Sequence, residues 1–139
     1  MDEIGFINRA NRLLGAPFAL GDRSKGYDCL NSMAELFESQ GVIFPREFGD
    51  WNEANYAERW EKGEGMATFR AFLFSLGEPV DINYIALGDI IILEKKGIVS
   101  AGIYLGSGHF RAVHNHLGGI VFPLNFFRRA IAGVRRLIK

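Results

Sequence analysis

The sequence has one cysteine, Cys29. A single thiol excludes an internal disulfide and any zinc site built on several cysteines. Four prolines against seventeen glycines leave no collagen-like or disordered tract and point to many tight turns. No apolar run approaches the length of a bilayer span, since Leu87 to Leu93 is cut by Gly88 and Asp89. The start, MDEIGFINR, is acidic and lacks an apolar signal segment, so a soluble chain without a cleaved export leader is expected. Sixteen Lys plus Arg balance sixteen Asp plus Glu, and without a basic excess strong nucleic-acid binding is not expected. No segment has the form of a Gly-rich nucleotide loop, and no cofactor is implied. Repeats and low-complexity stretches are missing too.

What is present fits one domain over residues 1–139, because that length holds a single core. Twelve Phe, four Tyr and two Trp require burial, which excludes global disorder. The charge is unevenly placed. Residues 1–94 hold 8 basic and 16 acidic side chains, and residues 95–139 hold 8 basic and none acidic. Halves of opposite sign can neutralise each other inside one fold or present two faces to two partners.

Ile4, Ile7, Ala10, Asn11 and Leu14 fall at helical spacing and predict a helix over 3–14, stopped by Gly15 and Pro17. A glycine-marked loop follows over 15–27. Asp28 stands where a helix cap belongs, and 29–39 places Leu30, Met33, Ala34 and Phe37 on one stripe before Gly41. Residues 42–51 read as irregular. A helix over 52–61, capped by Asn52, gains apolar mass from Trp51, Tyr56 and Trp60. These aromatics either pack in a core or line a groove. Residues 66–76 form another helix with Phe69, Phe72, Leu73 and Leu76 inward.

After Pro79 the pattern turns to strands: 89–94, 98–105 and 109–113, with turns at 95–97 and 106–108. A loop at 114–119, a short strand at 120–122, a helical turn near 124–129 and a strand over 131–138 complete the chain. Alternation in that strand puts Ile131, Gly133, Arg135 and Leu137 on one side. Helices first and an antiparallel meander second is an α+β order.

Cys29 is the focal residue. Placed in the first turn of a helix, its thiol meets free N–H groups and a dipole that favour the thiolate, as a nucleophile requires. The plainer alternative is a small buried hydrophobe. Imidazole is the usual base for such a thiol. His109 sits on a predicted strand, and His114 and His116 in a loop; His-x-His without a third ligand is a weak metal signal. Asp22, Asp28 and Asp89 have local structural roles, Asp89 at the start of a strand. No carboxylate pair suits glycoside hydrolysis. Arg128, Arg129, Arg135, Arg136 and Lys139 read as a solvated basic rim, with a phosphate or protein contact as the alternative.

Three pieces then stand in order: LLGAPFALGDRSKGYDC at 13–29, LGD at 87–89 and AGIYLGSGHF at 101–110. This order resembles the NlpC-type cell-wall peptidases, which have a papain-like fold. The short subgroup encoded in tail modules of phages and gene-transfer particles is the nearest likeness. There too an acidic aromatic segment, like VIFPREFGDWNEANYAERW, follows the central helix, and a basic strand like RRAIAGVRRLIK closes the chain.

The resemblance implies a papain-like α+β fold, with Cys29 on the central helix as nucleophile. It places the family's base histidine at Ser100. The imidazole-orienting residue falls at Arg111, or at Ala112 if no gap is allowed. A serine hydroxyl cannot hold a proton reversibly near neutrality, and guanidinium stays protonated, so neither replaces imidazole. Rescue would need another histidine. Hairpin pairing about 106–108 brings His114 near Ser100 and leaves His109 at the turn end. The resemblance thus implies a phage tail-tip or tail-assembly component with an impaired peptidase fold. Its alternative is an active cysteine peptidase that cleaves stem-peptide amide bonds of peptidoglycan with a relocated base. Acyl transfer or amidation on the related fold is a third possibility. Expected partners are tail-tip or hub proteins and peptidoglycan peptide. The expected location is the virion tail tip, made in the host cytoplasm and acting at the cell envelope if active.

Overall fold

Helical periodicity governs the first part of the chain and β-branched runs govern the second, and the two meet along one aromatic core. In the computed structural model the described residues are 2–13, 29–48, 51–52, 66–114 and 118–138. The predicted loop at 15–27, the Asp28 cap, His116 and residues 53–61 of the predicted helix lie outside them.

Helix α1 spans Glu3–Arg12, and the Asp2 side chain caps it by accepting from the Gly5 N–H at 3.0 Å. Its inward stripe differs from the expected one. Phe6, Ala10 and Leu13 are buried, whereas Ile4 is 74% and Ile7 36% exposed. The stripe i, i+4, i+7 that starts at Phe6 buries a whole ring, and that ring lies 6.4 Å from Phe37.

Helix α2 spans Cys29–Ser39 and buries Met33, Ala34, Leu36 and Phe37. Residues 42–46 are irregular, as expected. A two-residue ladder then pairs β1, Glu47–Phe48, with β2, Trp51–Asn52. Asn52 faces Glu47 in that ladder, and the helix it was expected to cap lies outside the described residues. Helix α3, Met66–Ser75, buries Phe69, Phe72 and Leu73, and Leu76 beyond its end is also buried. Phe44 joins the helices by stacking on Phe37 at 5.8 Å and meeting Phe72 edge-on at 6.0 Å.

The sheet has six strands: β3 Glu78–Pro79, β4 Ile90–Lys95, β5 Ile98–Gly106, β6 His109–His114, β7 Gly118–Pro123 and β8 Ile131–Arg136. The order is β3-β8-β4-β5-β6-β7, and every pairing is antiparallel. The predicted meander is therefore β4 to β7, and the last strand returns to lie between β3 and β4.

A register shift splits the stripe expected on β8. Gly133 faces Ile92 and Ile131 faces Leu93, which leaves Ala132 as the extra residue. Ile131 thus joins the far face of the sheet, while Leu137 packs with the helices. The helices cover the face that carries Ile90, Ile92, Val99, Ala101 and Ile103. The opposite face holds Ile91, Leu93 and Phe110 under a 3₁₀ helix, Leu124–Ala130, whose Phe127 meets Phe110 at 5.7 Å.

Candidate functional site

Cys29 is the first residue of α2, the position expected from its sequence. The first turn of this helix carries no acidic residue, so no fixed negative charge on it opposes an anion at that end. The rest of α2 is anchored by Met33, Ala34, Leu36 and Phe37 against Val99, Ala101 and Ile103 of β5. The strand that seats the helix is therefore the strand that carries Ser100.

Ser100 lies between buried Val99 and Ala101, is itself exposed, and pairs with Leu93. Alternation explains this, because its neighbours face the helices and it does not. On the next strand Arg111 stands opposite Ile103. The β5–β6 ladder runs from Gly106–His109 to Ile103–Arg111, and Ser100 and His114 each lie three residues beyond its last pair. Ala112 pairs with Ile120 on the other side and His114 with Gly118. His109 sits at the turn end, paired with Gly106, exposed, with its Nδ1 2.9 Å from the Ser107 carbonyl. The hairpin thus holds His109 at its tip, with Ser100 and His114 on its two strands beyond the paired residues.

Two polar residues follow Cys29 that the sequence reading passed over. Asn31 and Ser32 are 4% and 3% exposed. Both engage other groups of the fold, close to the end of the helix that bears Cys29. Their signal in the sequence was the polar pair that interrupts an apolar helix.

Asp89 proves to be more than a strand-start residue. Its side chain is 2% exposed and accepts from Arg136 Nε and Nη2, each at 2.9 Å, and from the Ala86 N–H at 2.8 Å. Its carbonyl accepts from Tyr104 N–H at 2.8 Å. The hydrogen bond to Asp89, and then its charge, raise the Arg136 pKa above the ordinary guanidinium value. Arg136 also donates to the Tyr84 carbonyl at 3.1 Å, and Arg135 donates to the carbonyls of Leu76 and Gly77 at 2.7 and 3.0 Å. Only part of the basic end is therefore a solvated rim. Two of its arginines staple the last strand to the segments that lead into β3 and β4.

A sequence profile of the NlpC/P60 family matches residues 15–122. The chain belongs to the NlpC/P60 family. The gamma-DL-glutamyl hydrolase of Bacillus subtilis (strain 168) is 26% identical over 114 residues, 78% of this chain and 22% of that protein. The chain therefore spans under a quarter of the curated relative it matches. An NlpC/P60 family protein from Bacillus cereus ATCC 10987 superposes with a TM-score of 0.72 at 22% identity, over 100% of this chain and 41% of that one. The peptidoglycan hydrolase RipB from Mycobacterium tuberculosis gives 0.68 at 21% identity, over 99% of this chain and 65% of that one. The NlpC/P60 domain of the peptidoglycan hydrolase SagA gives 0.65 at 17% identity, over 98% and 99% of the two chains.

At these identities the structural likeness is one of fold. Helices packed on an antiparallel sheet are the papain-like NlpC/P60 architecture that the motifs implied. In this NlpC/P60 chain the LGD motif at 87–89 acquires a physical role, since its aspartate binds the closing strand to the meander. No helix among the described residues is long and apolar enough to cross a membrane. Among the same residues no three His, Cys, Asp or Glu converge as metal ligands.

Proposed function

We propose that the 139-residue chain is a single NlpC/P60-fold module of a phage tail tip or tail assembly, in which peptide hydrolysis is impaired. The observation that carries this reading is Ser100, an exposed hydroxyl on β5 where the family motif has its base imidazole. Cys29 stands at a helix start, a position that suits a thiolate nucleophile. Attack on an amide also requires a proton for the departing amine, and neither the Ser100 hydroxyl nor the Arg111 guanidinium supplies one near neutral pH. Removing the base from a Cys or Ser mechanism costs several orders of magnitude in rate. The tail assignment is supported by the acidic aromatic segment after the central helix and by the acid-free, basic final third of the chain. On this reading the partners are tail-tip or hub proteins. The site of action is the virion tail tip at the cell envelope.

A second reading rests on one observation, that His114 ends β6, the strand next to the one that carries Ser100. With His114 as a relocated base the module would hydrolyse amide bonds of peptidoglycan stem peptides. One assay separates the two. The full chain, Cys29→Ala and His114→Ala are incubated with purified stem peptides, and release of new amines is followed. The impaired reading expects no Cys29-dependent release from the native chain. Release by the native chain that is lost in both Cys29→Ala and His114→Ala would replace it with the second reading.

A further inference from the structure

The two ends of the six-stranded sheet differ in charge. Where β4 begins, Ile90 faces Arg135, and β3 sets Glu78 against Arg136. Asp81, which follows β3, and Asp89, bound to Arg136, belong to that end as well. At the other end β4 turns into β5, and Lys95 faces Ile98 across the turn. Lys95, Lys96 and Ile98 are exposed there, Ile98 to 64%. Glu94, the acid of this hairpin, is taken up by Arg70 of α3 at 2.9 Å.

Alternation assigns these side chains to one face. Leu93 packs in the cluster on the face turned away from the helices. Lys95 stands two residues on, and Ile98 pairs with it, so both project from that same face. The 3₁₀ helix Leu124–Ala130 lies on this face and delivers the chain to Ile131, which faces Leu93. Residues three apart align on a 3₁₀ helix, and Leu124, Phe127 and Ala130 form its inward row. Asn125, Phe126, Arg128 and Arg129 are left outward and exposed, Phe126 to 77%. Lys95, Lys96, Arg128 and Arg129 make no ion pair or hydrogen bond with the described residues. No acidic residue occurs anywhere from 95 to 139.

We propose that this face is a contact surface for an anionic lipid bilayer. Its unopposed cations are drawn to acidic headgroups, and the side chains of Ile98 and Phe126 enter the boundary between headgroups and acyl chains. Two features select this occupant. Apolar and cationic side chains share one exposed surface, which is the composition of an interfacial membrane contact. Ile98, an aliphatic side chain at a hairpin tip, gains from hydrocarbon and nothing from phosphates or carboxylates, so a soluble polyanion would leave it in water. Phe126 is steadied by the Phe127 ring at 5.0 Å, so an aromatic anchor is already in place. This docking depends neither on chemistry at Cys29 nor on the tail assignment.

The test uses the full chain and two sets of sedimentable vesicles. One is phosphatidylcholine alone, and the other is phosphatidylcholine and phosphatidylglycerol in about equal parts. The chain should sediment with the anionic set, and added salt should weaken that binding. Arg128→Glu/Arg129→Glu, and separately Lys95→Glu, should lower the affinity about tenfold or more, with the fold checked by circular dichroism. Ile98→Ser keeps the charge and should lower it about threefold or more. The proposal is overturned if the chain binds neither set, if it binds both equally, or if the charge-reversed chains bind as well as the native one. Unchanged binding in Ile98→Ser would overturn it too, by reducing the face to a purely ionic surface. Self-association in sedimentation velocity that these substitutions abolish, without lipid binding, would assign the face to a second copy instead.

Discussion

Arg136→Met should destabilise the fold more than any other exposed-face substitution on β8. The reason lies in what it abandons. Asp89 is 2% exposed and takes two of its three side-chain hydrogen bonds from Arg136, both at 2.9 Å. Without them a buried carboxylate keeps only the Ala86 N–H at 2.8 Å. Breaking a buried pair by removing one partner costs about 3–5 kcal/mol. The Arg136 side chain is 35% exposed, and water on that side screens part of the pairing, so a loss of about 3 kcal/mol is expected. For a chain of this length that is a fall of about 10 °C in Tm.

Asp89→Asn keeps the shape and loses the charge, at about 2 kcal/mol. The double substitution should cost less than the sum of the single ones by about 1–2 kcal/mol, because the second change removes a group already without its partner. Urea denaturation of the four proteins measures each value. Because Asp89 raises the Arg136 pKa, the contribution of that shift is fully present below the unfolded guanidinium pKa. It is lost only as pH rises through the still higher folded value, so neutral and moderately alkaline buffers should give the same coupling. Strictly additive losses, or a loss below about 1 kcal/mol in Arg136→Met, would refute the latch.

Two further outcomes follow from backbone geometry. Lys96 has φ +53° and Gly97 φ +78° in the β4–β5 turn, so Lys96→Asn should raise stability by about 0.5–1 kcal/mol, read as a higher urea midpoint with unchanged slope. Gly133→Ala would set a Cβ 2.7 Å from Phe74 Cε1, and the resulting shift of α3 from β8 should cost about 1–3 kcal/mol, measurable by calorimetry.

Short-range patterns made much of the fold legible. Three helices and the meander appear where periodicity set them, because which residues are apolar decides which face must be buried. The inward face of α1 was misread, since Ile4 and Ile7 are as apolar as Phe6. Only the seat against Phe37 decided between the two stripes. The Ala132 bulge was equally hidden, because it depends on matching β8 to β4 across a long separation in the chain.

For the site, the sequence alone determined which groups are available: one thiol at a helix start, Ser100 and Arg111 on the strands after it, and three histidines. Residue identity fixes which groups can hold or release a proton, and no fold changes that. The tertiary structure decided proximity. It joined Asp89 to an arginine forty-seven residues away and set the closing strand between β3 and β4. Such pairings depend on where strands return to the sheet, which is settled by the packing of the whole core and by no local run of residues.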